Sequence, residues 1–206
     1  MKMKFITFEG GEGSGKTTII KMLMEKLNEK GINAVVSREP GGSQISEQIR
    51  NVILNIENKN MDYMTEALLY AASRCQHLKE IVWPNIEKGN LVVCDRYLDS
   101  SLVYQGCARG LGIEKVYDIN MNATNGFLPD LTIYLDVTPE VGLMRIQSNN
   151  RDVNRLDLEK MTFHEEVRKG YLKIADMFPE RIVKIDATRS VEEVYRDVEE
   201  AVFSRL

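Results

Sequence analysis

The stretch Gly10-Gly11-Glu12-Gly13-Ser14-Gly15-Lys16-Thr17 constrains this chain more than any other, because it satisfies G-x-x-x-x-G-K-[ST] between an apolar run, Phe5 to Phe8, and an amphipathic one. The setting is strand, turn, helix. Glycines let the backbone wind closely around phosphate oxygens, and successive N–H groups at a helix start form an anion nest. Lys16 adds a mobile positive charge, and the Thr17 hydroxyl suits Mg²⁺. The pattern predicts a nucleoside triphosphate site built from Gly10 to Thr18.

The rest of the chain suits an enclosing α/β fold. Short β-rich runs at Lys4–Phe8, Ala34–Ser37, Leu91–Asp95, Leu131–Val137 and Ile182–Ile185 are separated by stretches with helical periodicity. This alternation predicts a five-stranded parallel sheet with helices on both faces. Ile19, Ile20, Leu23, Met24 and Leu27 recur at helical spacing until Gly31. Thr138-Pro139 and the Ser190/Glu193 capping box announce two later helix starts. No Pro-, Gly- or Ser-rich stretch divides the 206 residues, which read as one domain, 1–206. Residues 148–157 are polar, carry Arg151 and Arg155, and read as a mobile lid loop.

Composition narrows the partners. A net charge of −4 argues against nucleic acid and favours small phosphate ligands. There is no run of about 18 apolar residues, and the charged Lys2 and Lys4 do not suit a signal peptide. The reading is a cytoplasmic protein that makes no use of a membrane. Cys75, Cys94 and Cys107 are widely spaced, and His77 and His164 isolated, so neither disulfide nor zinc is expected.

Further specificity should come from the C-terminal ends of the strands. The second strand ends in Arg38-Glu39-Pro40-Gly41-Gly42, a sharp turn leaving a charged pair at the sheet rim. The third, continuously apolar, delivers Asp95-Arg96-Tyr97; Asp95 suits Mg²⁺, and Arg96 can bridge two phosphates. In Thr65–His77, Leu68, Leu69 and Ala72 are expected on the buried face, with Tyr70 and Arg74 at i, i+4 on another. Such a ring and guanidinium could form a nucleobase pocket, although the local pattern alone favours a surface contact.

These motifs, with Phe8-Glu9, Ser100-Ser101 through Tyr104-Gln105, Pro129-Asp130-Leu131-Thr132, Leu135 through Glu140 and Ile185-Asp186-Ala187, closely resemble the thymidylate kinase family over nearly the whole chain. The resemblance implies a P-loop nucleoside monophosphate kinase fold that transfers the γ-phosphoryl of ATP to dTMP with Mg²⁺, in a homodimer. It implies that Tyr70 stacks on thymine, that Arg74 meets a thymine carbonyl, and that Ser101 and Gln105 fix the base. Arg50 and Arg96, with Arg38 as a lesser contributor, would hold the acceptor phosphate. Glu12 would sit near the 3′-hydroxyl, and Tyr104 would fill the space a 2′-hydroxyl needs. Arg145 would lie over adenine, with Asp186, Ala187 and Thr188 on its other side. The phosphate loop has Gly13-Ser14 and no arginine, so the lid arginines Arg151 and Arg155 are expected to complete the catalytic set, as in bacterial members.

Overall fold

A computed structural model describes residues 3–147, 155–156 and 158–206. Five parallel strands, β1 (Phe5–Glu9), β2 (Ala34–Arg38), β3 (Leu91–Asp95), β4 (Leu131–Asp136) and β5 (Ile182–Asp186), lie in the order β2-β3-β1-β4-β5. Each matches an expected run to within a residue or two at its ends. In β1 the side chains alternate between two cores. Ile6 and Phe8 pack with Ile19, Leu23 and Leu27 of helix α1 (Lys16–Glu29) and with Val198 of α9 (Val191–Phe203). Phe5 faces the opposite core, which holds Leu98, Val103, Val167 and Tyr171. Covered on both faces, the sheet opens only at its rim.

All five strands end on a charged residue at the same edge: Glu9, Arg38, Asp95, Asp136 and Asp186. Over this edge stand α2 (Gln44–Leu54), α3 (Tyr63–His77), the short α5 (Leu98–Ser101) and the π-helical stretch Leu102–Ala108. A π-helical turn shifts side chains off the regular α ladder, here just where Tyr104 and Gln105 project. Behind α3 lie α4 (Trp83–Glu87) and α6 (Ile113–Thr124). Helix α7 (Pro139–Gln147) precedes residues 148–157, and α8 (Met161–Met177) follows them. The capping box at Ser190 forms as expected. Among the described residues, no helix is long and apolar enough to cross a membrane.

One expectation is overturned. Helix α3 buries Glu66, Ala67, Tyr70, Ala71, Ser73, Arg74 and His77, whereas Leu68 and Ala72 are exposed and Leu69 is half-buried. The buried face is the polar one because its polar groups find partners across the fold. Tyr70 and Arg74 are therefore not surface neighbours; both are interior.

Candidate active site

The loop between β1 and α1 takes the conformation its glycines permit. Gly13 and Gly15 have φ of 70° and 91°, and Gly15 caps a helix whose first turn holds no acidic residue. Its N–H groups and positive dipole end are thus open to an anion. Lys16 folds back, its Nζ 3.3 Å from the Gly10 carbonyl and 4.0 Å from Asp95 Oδ1. Burial, and next the charge of Arg96, hold the Lys16 ammonium below its ordinary range. Thr17 and Thr18 are exposed on the first turn.

Opposite the loop lies a cleft of about 600 Å³, its open mouth included, within the size range of small-ligand sites. Its floor is the pair Glu12–Arg96: Arg96 Nη2 donates to Glu12 Oε1 at 2.8 Å, and the Tyr104 hydroxyl donates to the same oxygen at 3.3 Å. Arg96 adopts φ of 70°, a left-handed conformation unusual for a side-chain-bearing residue. That backbone turn, fixed by Arg96 N–H to Phe8 C=O, aims the guanidinium back over the phosphate loop. Burial opposes its charge, but Tyr104, Glu12, Tyr171 and Asp95 outweigh burial and raise its pKa well above the ordinary value. Arg50 also lines the cleft, anchored on the Pro40 carbonyl at 2.8 Å. Arg38 stays on the rim, half-exposed, in a bidentate pair with Glu47 at 2.9 and 3.1 Å.

Tyr70, Arg74 and Gln105 also line the cleft. Arg74 is 1% exposed and held at four of its N–H groups. Glu39 accepts from Nε at 2.7 Å, Ser101 and Asn120 from Nη1, and the Tyr97 carbonyl from Nη2 at 2.9 Å. Glu39 in turn meets His77 Nδ1 at 2.8 Å, and His77 Nε2 lies 2.6 Å from the Ser37 hydroxyl. The expected charged pair at the rim is thus split: Arg38 faces out while Glu39 turns inward. Ser101 holds Arg74 and is not among the groups lining the cleft. Beyond the phosphate loop, Arg145 Nη2 lies 3.1 Å from the Ala187 carbonyl, and the Asp186 carboxylate closes the turn through the Thr188 N–H and hydroxyl.

Several residues that shape this site are given no role by the sequence pattern. Glu9, fully buried, accepts from the Tyr97 and Ser100 N–H groups and from the Ser100 and Tyr171 hydroxyls, fastening the Arg96 turn to β1. Burial, with the Asp99 charge adding to it, raises its pKa to about 7. Tyr171 also accepts from Arg96 at 3.1 Å. Both are separated from their partners by long stretches of chain, so no local pattern reveals them. Arg155, expected among the lid arginines, is placed against α2 and α3. Its Nη2 donates to Glu66 at 2.5 Å and its Nε to the Ile53 carbonyl at 2.8 Å, while the adjoining Leu156 lines the cleft. Arg151 lies outside the described residues.

A family model described as thymidylate kinase matches residues 8–198. The chain belongs to the thymidylate kinase family. Among the curated thymidylate kinases, one from Clostridium novyi (strain NT) is 58% identical over 198 residues, covering 96% of this chain and 97% of its own. Another, from Anoxybacillus flavithermus, is 55% identical over 199 residues, covering 96% and 95%. A crystal structure of thymidylate kinase from Ehrlichia chaffeensis superimposes with a TM-score of 0.78 at 30% identity, covering 98% of this chain and 99% of that one. The five-stranded parallel arrangement is that of the thymidylate kinase fold.

Proposed function

We propose that this chain transfers the γ-phosphoryl of ATP to dTMP, giving dTDP and ADP, within a single domain. The observation that carries the reading is the cleft beside the phosphate loop, whose lining brings two arginines, Arg50 and Arg96, together with Tyr70, Arg74 and Gln105. An acceptor that ends in a phosphate and carries a pyrimidine spans those groups. The acceptor phosphate, with a second pKa of about 6, is mostly a dianion near neutral pH and needs no general base. The obstacle is repulsion between two anions, which Lys16, Arg96, Arg50 and the lid arginine Arg151 offset while aligning them; Arg155 would join them only on leaving Glu66.

The residues also fit a divalent cation. Asp95 Oδ1 is buried with no hydrogen-bond partner, beside Lys16 and the first turn that bears Thr17. Bound there, Mg²⁺ would neutralise part of the triphosphate charge. The triphosphate would sit on Gly10, Gly11, Gly13, Ser14, Gly15, Lys16, Thr17 and Thr18, and adenine between Arg145 and the Asp186–Thr188 turn. Glu12 would orient the acceptor sugar through the bond it already makes to Arg96. The Tyr104 ring would exclude a 2′-hydroxyl. Arg38, paired with Glu47, would approach the acceptor phosphate only on leaving that carboxylate.

The family's homodimer is supported by apolar side chains left exposed on α2 and α3, namely Ile45, Val52 and Leu68. A cytoplasmic location suits these substrates. The test is transfer of label from [γ-³²P]ATP to dTMP, dUMP, UMP and thymidine supplied separately. Labelled dTDP in quantity, a weak dUMP product and none from thymidine support the reading. Label on thymidine would make the protein a nucleoside kinase, and ATP consumed with no acceptor labelled would make it a switch.

A further inference from the structure

We propose that Glu66 sets which pyrimidine edge the cleft accepts by fixing the side-chain amide of Gln105; this inference rests on the acceptor reading above. Glu66 is fully buried on α3 and does not itself line the cleft. Its Oε1 lies 2.8 Å from Gln105 Nε2. The Arg155 guanidinium reaches Oε2 at 2.5 Å, and Arg109 approaches both oxygens at 3.4 and 3.5 Å. Arg109 is itself shared with Glu159 at 2.7 Å. Two guanidiniums thus compensate a carboxylate that water cannot reach.

A charged carboxylate has no proton to give, so Gln105 must turn its NH₂ toward Glu66 and not its oxygen. Among the described residues no hydrogen bond reaches Gln105 Oε1, and Gln105 lines the cleft. The amide therefore offers the cleft an acceptor. Arg74, which also lines the cleft, carries only donors. Acceptor beside donor matches the imide edge of thymine or uracil, where N3–H gives a hydrogen bond and the C4 carbonyl takes one. The cytosine edge has the reverse polarity and would leave buried groups unpaired, which a hydrogen-bonding pocket rejects strongly. Glu66 acts in this only through Gln105, as a positioning residue.

The experiment compares kcat/KM for dTMP, dUMP and 5-methyl-dCMP in the wild type, Glu66→Gln and Glu66→Asp. 5-Methyl-dCMP keeps the shape and methyl of dTMP and changes the edge alone. In Glu66→Gln the facing amide can both give and take a hydrogen bond, so Gln105 is free to turn over. The preference for dTMP over 5-methyl-dCMP should then fall by about tenfold or more. The preference for dTMP over dUMP, which reads the methyl, should hold within about twofold, and Glu66→Asp should retain both preferences. A parallel loss on all three acceptors, or an unmoved ratio, would overturn the proposal.

A second measurement needs no variant. In wild-type protein labelled with ¹⁵N-glutamine, the Gln105 side-chain NH₂ should be protected from exchange and hardly shift when dTMP is added. Protection lost on adding dTMP would also overturn it. A wild type that leaves dTMP unphosphorylated sinks the acceptor reading itself; a wild type that uses dTMP with an unchanged edge preference in Glu66→Gln sinks only the role given to Glu66.

Discussion

Gly142→Ala should cripple turnover without unfolding the protein. Gly142 lies within α7, and its backbone rests against the phosphate loop: a Cβ added there would meet the Glu12 carbonyl oxygen at 2.2 Å. From the other side, a Cβ on Gly13 would meet the Gly142 carbonyl at 2.0 Å. A carbon and a carbonyl oxygen rest about 3.3 Å apart or more, so α7 or the loop must yield by roughly 1 Å. Neither contact atom is a flexible side-chain end that can swing aside. Displacing the loop moves Glu12, and with it the pairing to Arg96 and Tyr104 on the cleft floor. Displacing α7 instead moves Arg145 off the Ala187 carbonyl.

A misplacement of about 1 Å in a positioned site costs on the order of 10² in rate. Stability should respond less, because overpacking costs about 1–3 kcal/mol while Ala in a helix interior recovers about 1 kcal/mol over Gly. Coupled-enzyme kinetics with both substrates varied, beside thermal unfolding, separates the two effects. A variant with kcat and both KM values within about twofold of the wild type would refute the reasoning. Unfolding at the growth temperature would do so too, since then the contact is needed for folding and not for geometry.

Lys16→Ala and Arg96→Ala should each lower kcat by about 10²–10³ with the fold retained, the usual effect of removing one charge-stabilising donor; near-normal turnover in a folded variant would reject the assigned role. Tyr104→Ala should admit ribose acceptors, measured as phosphorylation of ribothymidine monophosphate, and continued exclusion would show that the tyrosine is not the steric barrier. Glu9 has its pKa raised from 4.5 to about 7, so it keeps its proton longer folded than unfolded. Its contribution to stability is present at low pH and lost as pH rises through about 7. Glu9→Gln should therefore show a smaller fall in urea midpoint between about pH 5 and pH 8 than the wild type; equal falls would refute the shift.

The strands and the phosphate loop were legible because their signals are local. A glycine pattern, an apolar run and a capping box each carry their physics within a few residues. Helix α3 was not legible in the same way. Its apolar Leu68 faces outward while Glu66, Arg74 and His77 lie inside, because their charges and hydrogen bonds are met by Glu39, Gln105 and Asn120 from other elements. Hydropathy at helical spacing cannot register a partner more than thirty residues away. Glu9, present only within the Phe8-Glu9 motif, and Tyr171 were given no role for the same reason, and Gly142 because its neighbour is backbone, which leaves no trace in side-chain pattern.

Asp95-Arg96-Tyr97 is an intermediate case. The end of an apolar strand marks the place, but the left-handed turn at Arg96 that aims the guanidinium is followed by N–H groups held by Glu9, far away in the chain. Arg155 has a partner that position along the chain does not reveal: its guanidinium pairs with the buried Glu66 carboxylate of α3, which needs a counter-charge.

The most direct test is a crystal structure of the protein grown with dTMP. The thymine ring should lie against Tyr70, with its edge toward Arg74 and Gln105, and the phosphate between Arg50 and Arg96. Nucleotide found on the phosphate loop alone, or with its phosphate turned toward Arg74, would contradict the assignment of this cleft to the acceptor.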